Sequence, residues 1–180
     1  MRTRLSLSLT VVALAALPGC AGDVAPQEAA VAVQTDTQPS EQDKAWMRTI
    51  HQGNLAEVQA GRLAQGKGTT KRIKSIGEML VKDHTRLDVK VTQAATQLGV
   101  ELPTSPSAHQ RAEVARLRSS TGQDFDQDFL SGMVKAHTEA LAATKVEVSH
   151  GSSQTVKALA KTAQQSLQEH LGVLRQAQGG

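Results

Sequence analysis

From Ile73 to Leu98 the apolar residues Ile73, Ile76, Leu80, Leu87, Val91, Ala94 and Leu98 recur three, four or seven positions apart. This is the repeat of one buried face of an α-helix. His84 fills the single gap, four residues after Leu80 and three before Leu87, so it must point where its apolar neighbours point. The same period runs through Phe125, Phe129, Met133, His137, Leu141, Thr144 and Val148, and through Val156, Leu159, Ala163, Leu167, Leu171 and Leu174. Upstream, Met47, Ile50, Asn54, Glu57, Gly61 and Ala64 form a less apolar stripe that Leu55, Val58 and Leu63 broaden or shift.

Punctuation between these stripes sets the expected elements. Ser40 with Glu41 and Asp43 reads as an N-cap and an acidic first turn. A first helix is expected over 41–65, stopped by Gly66-Lys67-Gly68, and a second over 70–98, ended by Gly99. Pro103 and Pro106 break the chain before a short, arginine-bearing helix over 108–119, which Thr121-Gly122 interrupts. Two further long helices are expected over 124–150 and 153–176. The economical solution is all-α: an up-down-up-down four-helix bundle with one short extra helix in the second connection, occupying 40–178. A pair of long hairpins that dimerise would bury the same faces.

Composition agrees with helices. Aromatics make up 2% of the chain with no Tyr, while 39% is apolar and dominated by helix formers. The formal charge of +3 includes Arg2 and Arg4; without them 18 basic residues face 17 acidic ones. No concentrated basic face is left for nucleic acid. Lys67, Lys71, Arg72 and Lys74 read as a solvated helix face rather than as a site for anionic lipid.

Arg2 and Arg4 precede an apolar run from Leu5 to Leu17 that is followed by Pro18, Gly19 and Cys20. This is the tripartite pattern of an export signal, expected over 1–20. Leu17-Pro18-Gly19-Cys20 resembles a bacterial lipobox, which would make Cys20 the lipidated mature N-terminus and the membrane the first partner. Ala21 in the next position implies the outer membrane, or the periplasm if no lipid is added. Residues 21–39 have little to bury and are expected to act as a tether.

Glu57, His84 and His137 interrupt apolar stripes, and His170 lies beside Leu167 and Leu171, giving one ionisable group for each long helix. With the turns at Gly68 and Gly151 placed at one end of the bundle, these groups lie roughly 16, 24, 21 and 28 Å from that end. About 3 Å of lean toward each helix's N-terminus brings them within roughly 6 Å of depth. An unpaired charge there would cost several kcal/mol, so the groups need partners. One reading is a transition-metal site of carboxylate and imidazole, supported by Asp83, Asp126 or Glu169. The other is a buried hydrogen-bonded layer of neutral histidines and one carboxylate. The only Glu-x-x-His motif, Glu147 to His150, stops at Gly151 and does not supply the pair a di-iron oxidase displays. No phosphate loop, Cys-His pair or nucleophile elbow is present.

Six segments carry a resemblance: Gly53-Asn54-Leu55-Ala56-Glu57-Val58, Met79 to Thr85, Leu98-Gly99-Val100 with Pro103, Phe125-Asp126, His137, and Glu169-His170-Leu171. In order and spacing they resemble the bacterial family of domain of unknown function 4142, labelled a predicted outer-membrane protein and grouped with ferritin-like bundles. The resemblance implies an exported envelope bundle with recurrent polar positions at Glu57, Asp83, His84, Asp126, His137 and His170. This chain departs from the pattern at Phe129, Thr144, Lys145 and Gln165. The expected function is a non-enzymatic binding or protective module linked to stress, with an unidentified envelope partner or self-association. A metal-binding bundle is the alternative.

Overall fold

The computed structural model describes residues 38–179; the expected leader, Cys20 and nearly all of the tether lie outside the described residues. Each helix starts where a side chain satisfies its free backbone donors. Helix α1 (Glu41–Lys67) opens on a reciprocal cap: the Asp43 N–H donates to Ser40 Oγ, and the Ser40 N–H donates to the Asp43 carboxylate. Thr70 caps α2 (Lys71–Leu98), which ends at Gly99 with φ of +66°, a left-handed position that favours glycine. Ser107 and Gln110 box the start of α3 (Ala108–Ser119), α4 (Gly122–His150) follows at once, and Ser153 caps α5 (Gln154–Gln178). These bounds lie within two residues of the expected ones. Gly66 stays helical inside α1, and the φ of +59° at Gly122 lets α4 begin two residues early.

The four long helices form the expected all-α bundle with α3 in the second connection, but the second pair runs the other way. Thr69, in the α1–α2 turn, donates to Asp126 at the start of α4. Ser40, at the start of α1, and Asp43 bond instead to Ser152 in the α4–α5 turn. The two tight turns therefore stand at opposite ends, and the order is up-down-down-up rather than up-down-up-down. The cause is α3, which lies along α1 and returns the chain to the Gly68 end, where Lys67 Nζ reaches the Arg118 carbonyl. In this arrangement α1 packs on α2 and α4, and α5 packs on the same two, so every neighbouring pair is antiparallel.

The core has two halves. One gathers Trp46, Met47, Ile50, Leu87, Val91, Val156 and Leu167, and the other Ile73, Ile76, Leu80, Phe125, Phe129 and Leu174. Each fully buried leucine contributes about 1.5–3 kcal/mol. In the second half, α1 and α2 come close enough that a Cβ on Gly77 would lie 2.5 Å from the Gly61 carbonyl oxygen. Among the described residues no helix is long and apolar enough to cross a membrane.

Candidate metal centre

Between the two apolar halves the bundle carries a polar layer. Glu57, His84, His137 and His170 come from α1, α2, α4 and α5, and are respectively 5%, 2%, 0% and 3% exposed. The three imidazole rings form a nearly equilateral triangle with centroid separations of 5.4, 5.2 and 5.4 Å. One ring nitrogen from each histidine lies within 4.8 Å of the others. The inverted second hairpin does not disperse the layer, because His137 stands near the middle of α4 and keeps its depth whichever way α4 runs.

The outer contacts decide which nitrogens face inward as lone pairs. Asp88 accepts a hydrogen bond from Asn54 Nδ2 at 3.4 Å, since a carboxylate only accepts; this leaves Asn54 Oδ1 facing His84 Nδ1 at 2.9 Å. His84 Nδ1 must then donate, and Nε2 turns inward toward Glu57. His137 Nδ1 donates to the Met133 carbonyl at 2.9 Å, leaving Nε2 bare. His170 Nε2 donates to Asp83 Oδ2 at 3.2 Å, leaving Nδ1 bare. Three inward ring nitrogens converge with a carboxylate. His137 Nε2 and His170 Nδ1 lie 3.3 Å apart, and Glu57 Oε2 lies 2.6 Å from His84 Nε2 and 3.5 Å from His137 Nε2. Glu57 Oε2 and His84 Nε2 are buried with no partner but each other.

Burial and charge favour ligating forms. Burial pushes the Glu57 carboxyl up, but His137, His84 and His170 around it more than offset this and hold it at about 2. Burial lowers His137 below the ordinary histidine value, against the pull of Glu57. Burial and the neighbouring His84 and His137 also lower His170, against Asp83. Burial thus favours neutral His137 and His170 beside an anionic Glu57. A cation of a borderline transition metal fits that donor set, whereas calcium and magnesium prefer all-oxygen cages. Each inward nitrogen is backed by an outward N–H donated to a carbonyl, amide or carboxylate oxygen, the arrangement that fixes imidazole ligands.

Of the expected supporting residues, Asp83 is placed against His170. Asp126 is not brought to the layer: its carboxylate accepts from Thr69 N–H and Oγ–H and ties the α1–α2 turn to α4. Glu169 is exposed, because the residue before a buried His170 faces away from the core. Glu147 is buried at the far end of α4 and His150 is exposed, so the Glu-x-x-His pair does not converge. Sequence reasoning missed Asn54 as the partner of His84, and with it Asp88 and His51, whose Nδ1 lies 2.7 Å from Asp88 Oδ1. The available signal was an amide inside an apolar stripe, three residues before Glu57.

No curated protein matches the chain. The crystal structure of a DUF305 fragment from Deinococcus radiodurans is similar, with a TM-score of 0.70 and 16% identity over 79% of this chain and 99% of that one. At that identity the likeness is one of fold. The family model described as domain of unknown function (DUF4142) matches residues 28–177, and the chain belongs to that family.

Proposed function

We propose that this protein binds a divalent first-row transition metal through His84, His137, His170 and Glu57. The observation that carries the reading is the convergence of three buried imidazole nitrogens and a buried carboxylate oxygen, each nitrogen oriented by a hydrogen bond from its ring's other side. A hydrogen-bonded layer without metal would need added protons to separate His137 Nε2 from His170 Nδ1, and burial opposes charging either ring. Titration with zinc, cobalt and copper tests the proposal. The wild-type chain should bind one ion, and His84→Leu and His170→Ala should lose that stoichiometric binding while retaining helical circular dichroism. Folded variants that bind as the wild type does would refute the site.

The setting proposed for this activity is the bacterial envelope, with Cys20 as a lipid anchor and the metal held for storage or protection. Its support is the order Arg4, apolar run, Gly19-Cys20 at the start of the sequence. Cys20→Ser should move the protein from the membrane to the soluble fraction. An unchanged membrane fraction would reject the anchor and leave the metal site untouched.

A further inference from the structure

A cleft of about 450 Å³ opens between α1 and α4 beside α3. Asn54, Glu57 and His84 line it, and they are 1%, 5% and 2% exposed. Much of the remaining wall is small or apolar, including Ala56, Ala60, Gly132, Met133, Ala136 and Leu117. His137 and His170 do not line it and are 0% and 3% exposed. The cleft thus approaches the polar layer from the side of Glu57 and His84, whose facing atoms Oε2 and Nε2 lie buried behind its wall.

Charges along the cleft are mostly paired with one another. Arg116 binds Glu113 at 3.2 Å and Asp128 at 2.6 Å, and Lys135 binds Glu139 at 2.6 Å. A charged ligand entering here would give up water without meeting an unpaired side chain of opposite charge along these pairs, which is costly. An uncharged molecule with an apolar body would instead gain contact with the walls.

We infer that the cleft leads an uncharged small molecule, with an apolar body and one lone-pair donor atom, to an open coordination position on the metal. This rests on the proposed metal site and deepens it: with four protein ligands in place, the open position is the fifth, reached when the ion expands its coordination. Gly132 provides the control. A Cβ there meets nothing within 4 Å, so a leucine adds bulk to the cleft without a backbone clash, and replacing a helical glycine favours the fold.

The test loads the full chain with cobalt(II) and follows its visible absorption at pH 8 while 4-phenylimidazole, an uncharged donor, or azide, a small anion, is added. Metal content is measured before and after. The inference expects a saturable spectral change with 4-phenylimidazole at one per chain. Gly132→Leu should weaken that response at least tenfold with cobalt content unchanged. Bound cobalt whose spectrum ignores 4-phenylimidazole would overturn the open position. An equal response in Gly132→Leu would overturn the route, and a response to azide alone would overturn the ligand class. A chain that takes up no cobalt refutes the metal reading itself, and this shows before any ligand is added.

Discussion

At the scale of single residues, the site depends on which nitrogen of each histidine is left free, and that choice is made by groups that never meet the metal. Asn54 is the clearest of them, because Asp88 fixes its amide and the amide fixes the His84 tautomer. Asn54→Ala leaves all four proposed ligands in place yet should weaken metal binding about 10–100-fold, measured by competition with a chromophoric chelator. Unchanged affinity would mean that His84 is oriented by packing alone. His84 was legible in the sequence because an imidazole in an otherwise unbroken apolar stripe must be buried. Asn54 was present in its stripe but not legible as a site residue, because its meaning depends on Asp88, which only the packing of α1 on α2 brings near. Asp126 was expected at the layer through the family resemblance, but its position at the start of α4 gives it to the Thr69 turn.

Among the elements, the end of the bundle opposite Gly68 is held by a pair of buried carboxyl groups. Asp43, fully buried, accepts from the Ser40, Ser152 and Ser153 backbone N–H groups and from the Ser152 hydroxyl. Burial pushes Asp43 up, but its bonds to Ser152 and Ser40 more than offset this and hold it well below the usual carboxylate range. Glu147 is pushed up to about 7 by burial and by its bond to Asp43, against Gln42 from α1 and Lys157 from α5. A carboxyl whose folded value is raised binds its proton more tightly in the folded state. Its contribution is therefore present below the ordinary value of 4.5 and is lost as pH rises to about 7. Glu147→Gln should remove this loss, so its denaturation midpoint relative to wild type should rise between pH 4.5 and 7. A pH-independent difference would show that Glu147 does not titrate in the fold. The helices themselves were legible because their apolar stripes keep the helical repeat, Ser40 caps the first and glycines flank the breaks. The direction of the second hairpin was not. The connection from Gly99 to Thr121 is long enough to finish at either end, and only the packing of α3 along α1 decides it.

For the whole molecule, the proposed metal site would make folding and metal binding one equilibrium. Metal that binds only the folded chain stabilises it by about 4 kcal/mol at a thousand times its dissociation constant. The same ligands make that gain sensitive to acid. Because His137 and His170 are lowered, the folded chain favours them neutral; their contribution is complete above the ordinary value of 6.5 and declines as pH falls below it. Protonation then competes with metal for the same nitrogens, so acid should release the ion before it unfolds the bundle. The most direct measurement is elemental mass spectrometry on the chain purified at pH 7.5 without affinity tag or chelator, followed by titration of any metal-free fraction with zinc, iron and copper. The account predicts one transition-metal ion per chain, lost in the His84→Leu variant. Protein that carries no ion and takes up none of the three would contradict it.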